Sequence, residues 1–219
     1  MINKKADLDV VRRIGVDMDE TLFPTLPHFI EWHNLHFGTK VVLPDFNEYG
    51  DWSRIFNIDV ETIVERFLIF MKGPYLDLEL LPFPGANETL VKLKANGIRP
   101  GIITSRQGEL AGITAKQITT YFEDYSLFKF ISFGNKYARN NGSFCEKWEQ
   151  CQRFDVRLMV EDNTDDAVKL ADHGISTILF NNGNSYPWSD NWEPIDNVFI
   201  AQSWCEIYPL ATELVQQVY

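Results

Sequence analysis

Short apolar runs, each stopped abruptly by a polar residue, alternate with helix-like stretches along most of this chain, and few folds accommodate that alternation. The runs are Arg13 to Asp17, Arg99 to Thr104, Phe128 to Phe133, Arg157 to Val160 and Thr177 to Phe180, with Val198 to Ile200 as a short last one. Between them the spacing predicts helices over Ala86 to Ala95, Ser105 to Phe122, Lys147 to Phe154, Asp165 to His173 and Trp204 to Val218. Asn96-Gly97 and Gly174 supply stops. Strands alternating with helices imply a parallel sheet covered on both faces, so the expected class is α/β with a doubly wound, Rossmann-like sheet. Such sheets take ligands at the carboxyl ends of their strands.

One block breaks the rhythm. From Leu22 to about Leu81 the texture is helical and aromatic. Pro27 opens a helix to Phe37, residues 40–51 are irregular, and Asp59 caps a second helix, Val60 to Met71, which Gly73-Pro74 ends. The expected organisation is a core made of residues 1–21 and 82–219, with a helical insertion at 22–81.

Bulk properties exclude several partners. A formal charge of −11 argues against binding nucleic acid polymers or an anionic membrane surface. Cys145, Cys151 and Cys205 show no metal-type spacing, and their odd number suits a reducing compartment. The start, Met1 to Arg13, is polar and charged, unlike a signal peptide, and no apolar run is long enough to span a bilayer. The expected location is the cytoplasm.

The chemistry gathers at the run ends. Ile14-Gly15-Val16-Asp17-Met18-Asp19-Glu20-Thr21 closes on two aspartates at i and i+2, which leave a strand end on one side. Like charges this close repel, and a hard divalent cation such as Mg²⁺ relieves them. Thr104 ends another run and Ser105 begins the following helix, where exposed amides and the helix dipole would favour an anion. Glu161 and Asp162, followed by Asp165 and Asp166, form a second acidic strand end, able to complete an oxygen cage with Asp17. A cation for the anion site is expected from Lys147, on a helix, or from Lys136, in a loop; Arg106 and Arg139 are further phosphate contacts to consider.

Taken in order, Asp17-Met-Asp19-Glu-Thr21, Thr104-Ser105, a lysine, and Glu161-Asp162 with Asp166 resemble the four motifs of the haloacid dehalogenase superfamily, phosphatase branch, with a helical (C1-type) cap after the first. The resemblance spans about residues 13–210. It is nearest to small 5′(3′)-deoxyribonucleotidase-like and 5′-nucleotidase members, whose closing helix Ser203-Trp204-Cys-Glu206-Ile207-Tyr208 also resembles. It implies a Mg²⁺-dependent phosphomonoesterase working through an aspartyl-phosphate. Asp17 would be the nucleophile and Asp19 the general acid and base. Mg²⁺ would be held by the Asp17 carboxylate, the Asp19 main-chain carbonyl and Asp162. Thr104, Ser105, Lys147 and the main chain at Met18 would cradle the phosphoryl oxygens.

For the substrate, a small phosphorylated metabolite is expected, with a nucleoside monophosphate leading. Phe29 and Trp32 are the expected substrate contacts; Phe46, Tyr49, Trp52 and Tyr75 are further aromatics of the insertion. His33 and His36, one turn apart, read as surface histidines and not as metal ligands. A sugar-phosphate phosphatase or phosphomutase shares every motif residue, and a non-catalytic binder of phosphorylated ligands is the reading from another class.

Overall fold

The inner strands of the sheet are short and buried on both faces, which explains why the sequence marks them by apolar runs. The computed structural model describes residues 12–47, 52–73, 80–122, 124, 126–138, 143–189 and 193–219; Tyr49, Tyr75, Pro74, Arg139 and the lead-in at 1–11 lie outside them. Six strands, β1 (Arg12–Val16), β2 (Ile98–Thr104), β3 (Ile131–Phe133), β4 (Leu158–Glu161), β5 (Ser176–Phe180) and β6 (Val198–Ala201), form one sheet in the order β3-β2-β1-β4-β5-β6. All neighbours are parallel. The expected doubly wound α/β fold is the one observed.

Alternation along the strands divides the core. Ile14, Val16, Leu158, Val160 and Ile178 join a large cluster with residues of α4 (Ala86–Ala95) and α8 (Trp204–Val218), including Leu93, Ile207 and Ala211. Ile103 and Met159 join a smaller one with Cys151 of α6 (Lys147–Arg153) and Leu170 of α7 (Thr164–Asp172). Among the described residues between β1 and α4 the α-helices are α1 (Thr25–Phe37), α2 (Trp52–Phe56) and α3 (Val60–Lys72). Asp59 caps α3 as expected, its two carboxylate oxygens accepting from the Thr62 N–H and hydroxyl at 2.7 Å each. The short helix α2 had no sequence signal of its own. Among the described residues no helix is long and apolar enough to cross a membrane.

Two expected elements differ: the run Phe128 to Phe133 is strand only over Ile131–Phe133, and the helix after β2 begins late. The helix placed from Ser105 starts only at Ala111, as α5 (Ala111–Tyr121), after a single 3₁₀ turn at Gly108–Leu110. The cause lies in where the backbone groups of residues 104–108 go. Thr104, Arg106 and Ser105 carbonyls accept from the N–H groups of Gly134, Asn135 and Lys136 at 2.7, 3.1 and 3.0 Å, and Gly108 donates to the Asn135 side chain at 2.7 Å. Sideways pairing to the loop after β3 replaces the helical ladder.

Close approach at one glycine gives a test of this packing. A Cβ at Gly101 of β2 would fall 2.2 Å from Cζ of Phe130, a ring held by its 4.2 Å stack on Phe154. Gly101→Ala is expected to cost about 1–3 kcal/mol by overpacking. Gly112 of α5 has open space at that position, so Gly112→Ala should instead add about 0.5–1 kcal/mol. Denaturant midpoints of the two variants, at unchanged slope, check both signs.

Candidate active site

At β1 the strand order reverses, with β2 on one side and β4 on the other, and this switch point is where an open parallel sheet leaves a crevice. Asp17 follows β1 directly and its N–H donates to the Val160 carbonyl of β4 at 3.0 Å. Glu161 ends β4 and Asp162 comes next, so two adjacent strands end in acid at one rim. Ligand oxygens of Asp17, Glu161 and Asp162 lie within 4.8 Å of one another, and all three residues are buried.

Lys147, the first residue of α6, inserts its ammonium into this cluster. Nζ lies 2.8 and 2.7 Å from the two oxygens of Glu161, 3.1 Å from Asp166 and 3.3 Å from Asp17. Burial works against its charge, yet Asp17, Glu161 and Asp166 hold its pKa well above the ordinary lysine value. The ammonium in turn keeps Asp166 below the usual carboxylate range despite burial.

Two oxygens remain without a hydrogen bond. Asp162 accepts from the Thr21 hydroxyl through Oδ1 at 3.0 Å, but its Oδ2 has no partner, and Asp17 Oδ1 has only the charge contact with Lys147. Burial, opposed by Lys147, raises Asp17 to about 6, and burial with the neighbouring Asp17 and Glu20 pushes Asp162 well above its ordinary value. Paired buried acids with orphaned oxygens are a donor set suited to a hard, oxygen-ligated divalent cation, so these residues fit Mg²⁺.

Neighbouring side chains fix this corner. The Trp188 indole donates to the Asp162 carbonyl at 3.1 Å, the Trp204 indole to the Thr21 carbonyl at 2.9 Å, and the Tyr186 hydroxyl to the Glu20 carbonyl at 2.6 Å. Glu20 adopts a left-handed φ of 60°, and its carboxylate accepts from the Leu26 N–H. A side chain forced into that backbone region needs such support.

Asp19 is engaged differently from Asp17. The Arg106 guanidinium grips it with two parallel bonds, Nε to Oδ2 at 2.8 Å and Nη2 to Oδ1 at 2.6 Å, and Thr25 donates its hydroxyl to Oδ1 at 2.5 Å. Burial opposes ionisation here, but Arg106 and Thr25 hold the carboxyl below its ordinary value. Arg106, weighed in the sequence as a phosphate contact, has its guanidinium committed to Asp19, Thr114 and Gln117.

A cavity of about 170 Å³ collects Asp17, Asp19, Thr104, Ser105, Lys147 and Asp162, and Lys136 lines it as well. Both lysines therefore reach the site, but only Lys147 sits among the acids. Met18 buries its side chain completely, leaving its main chain beside Asp17. The helix dipole expected at Ser105 is absent, because α5 begins six residues later.

Phe29 and Trp32 correct the sequence expectation. Phe29 is wholly buried, ringed by Trp32, His33, Trp52, Phe56, Phe67 and Phe70 at centroid distances of 5.3–5.9 Å, and neither it nor Trp32 lines the cavity. Proximity in sequence to Asp17 put them forward; their large apolar faces hold the insertion together instead. The insertion reaches the cavity through Trp52 and through Val60, Ile63, Val64 and Phe67, a stripe legible as i, i+3, i+4, i+7. His33 is buried, not surface-exposed, and hydrogen-bonds to Thr39 at 2.8 Å and Arg66 at 3.0 Å; burial and Arg66 lower it to about 4, so it is neutral.

No family model and no curated protein matches this sequence. Solved structures do. A haloacid dehalogenase-like hydrolase from Streptococcus pneumoniae is 15% identical with a TM-score of 0.66, covering 92% of this chain and 98% of that one. A predicted phosphoglycolate phosphatase from Haemophilus somnus is 17% identical, TM-score 0.66, over 94% and 100%. A β-phosphoglucomutase from Clostridium difficile is 14% identical, TM-score 0.62, over 95% and 98%. At such identities the likeness is one of architecture: along nearly its whole length this chain has the fold of haloacid dehalogenase-like phosphatases and phosphomutases.

Proposed function

We propose that this protein is a Mg²⁺-dependent phosphomonoester hydrolase for a small phosphorylated metabolite, with Asp17 as nucleophile and residues 22–81 as a cap. The observation that carries this reading is the pair of buried oxygens without a hydrogen bond, on Asp17 and Asp162, beside the Lys147 ammonium at the switch point of the sheet. Five carboxylates, those of Asp17, Asp19, Glu161, Asp162 and Asp166, share the cavity with Lys147, Arg106 and Lys136. A phosphate dianion enters such a site only with further positive charge. Mg²⁺ held by Asp17, Asp162 and the Asp19 carbonyl would supply it, neutralising charge on the phosphoryl oxygens.

Asp17 forms the new bond to phosphorus as the bond to the leaving oxygen breaks, and the phosphoryl group then resides on its carboxylate. Thr104, Ser105, Lys147 and the Met18 main chain hold the phosphoryl oxygens in line. The ionised Asp19 that Arg106 holds is the form that takes a proton from the attacking water in the second half of the cycle. Giving a proton to the leaving alcohol in the first half requires that grip to loosen. Phosphate leaves and Asp17 is restored.

The sequence resemblance favours a nucleoside as the leaving group. A sugar phosphate is the second reading, favoured by the neighbours described as phosphoglycolate phosphatase and β-phosphoglucomutase. The free thiols of Cys145, Cys151 and Cys205 favour the cytoplasm as its setting.

The purified protein is expected to release phosphate from 4-nitrophenyl phosphate, to stop in EDTA and to recover with Mg²⁺; Asp17→Asn should reduce turnover to background, and undiminished release by that variant refutes the assignment. Lys147→Met should abolish turnover and cost about 3–5 kcal/mol in stability by stranding three acids. Adding Glu161→Gln should recover part of the stability and none of the activity, as thermal denaturation and the same assay would record.

A further inference from the structure

The cavity has a second kind of wall. Val60, Ile63, Val64 and Phe67 present one stripe of α3 to it, and Trp52 and Ser53 of α2 continue that surface. The rings are not free to turn away. Trp52 stacks on the buried Phe29 at 5.5 Å and 21°, and Phe67 meets both Phe29 and Trp52 edge-on, at 5.3 and 5.7 Å. Among the described residues, the Ser53 hydroxyl and the Trp52 indole N–H are the polar side-chain groups the insertion gives to the lining, and the α3 stripe gives none. Every charged lining residue comes from the core, and all but Lys136 have a part in the phosphoryl chemistry proposed above.

This division has a consequence for selectivity. Sugar hydroxyls or a second carboxylate placed against the α3 stripe lose water without gaining partners. An apolar ring placed there gains by the area it removes from water, and a wall already rigid spends little on ordering. Resting on the hydrolase reading above, we infer that the substrate's leaving group presents an apolar, ring-sized face to α2 and α3, and is neither polyhydroxylated nor carboxylate-bearing. The inference separates this chain from the substrates named for its structural neighbours.

Benzyl phosphate, methyl phosphate, glucose 6-phosphate and phosphoglycolate test it, since all four leave as aliphatic alcohols and differ in what would meet the wall. With Mg²⁺ present, kcat/KM for benzyl phosphate should exceed that for methyl phosphate by roughly 30–100-fold, with glucose 6-phosphate and phosphoglycolate no better than methyl phosphate. Phe67→Ser should lower the benzyl-to-methyl ratio about tenfold. Val60 is 44% exposed at the start of α3, so Val60→Lys keeps the fold testable should the Phe67 variant not accumulate. It should raise the phosphoglycolate-to-benzyl ratio about tenfold. Hydrolysis of all four esters at similar kcat/KM, or a preference for either polar ester, overturns the inference while leaving the hydrolase reading intact. Release of phosphate from none of them overturns both.

Discussion

A single buried ammonium is what lets three carboxylates meet at the rim of this sheet. Lys147 stands at the first residue of a helix, the end where a positive charge is least welcome to the helix dipole, and it is removed from water besides. Two adverse conditions on one side chain call for compensation, and Glu161, Asp166 and Asp17 provide it at 2.7–3.3 Å. The dependence runs both ways. Without the ammonium, the ends of β1 and β4 would bring bare acids together between adjacent parallel strands. With it, Glu161 and Asp166 are satisfied, and Asp17 and Asp162 each keep one buried oxygen without a hydrogen bond.

What could be read from the chain beforehand follows from which interactions are local. Strand positions were legible because a strand buried on both faces must be apolar throughout, and its polar stop marks the rim; β1, β4 and β5 sit within a residue or so of that reading. Asp17 and Asp19 were legible because two residues apart on an extended chain is a fixed relation in space. The start of α5 was not, since the backbone of residues 104–108 is claimed by a loop 27 to 31 residues further on, through Gly134, Asn135 and Lys136. No local propensity reports that.

The aromatic residues of the insertion show the same limit from another side. Phe29 and Trp52 are both large and apolar, and their rings stack on each other, yet the first is wholly buried and the second lines the cavity. Composition cannot separate them, because burial on one side of a ring and a ligand on the other satisfy the same chemistry. Val60, Ile63, Val64 and Phe67 have the spacing of one helical face, though the sequence alone marked only the helix over Val60 to Met71. Periodicity announces that a face is covered; it does not say whether core or ligand covers it.

Asp19, Arg106 and Thr25 tie the rim of the sheet to the helical segment that follows β1, at the acid proposed to carry the proton. The guanidinium uses Nε and Nη2 on Asp19, and Nη1 on Thr114 and Gln117, so a buried charge is met on several of its donors by the loop and by α5. A lysine could not reproduce this, having one compact ammonium where the site presents a planar, two-sided acceptor. The remaining bond to Asp19 comes from Thr25, the first residue of α1, on the insertion side. Its carboxylate is thus anchored at once from the core and from the helical segment. Any shift of α1 relative to the sheet would be felt there first, on an acid whose two oxygens are both already spoken for.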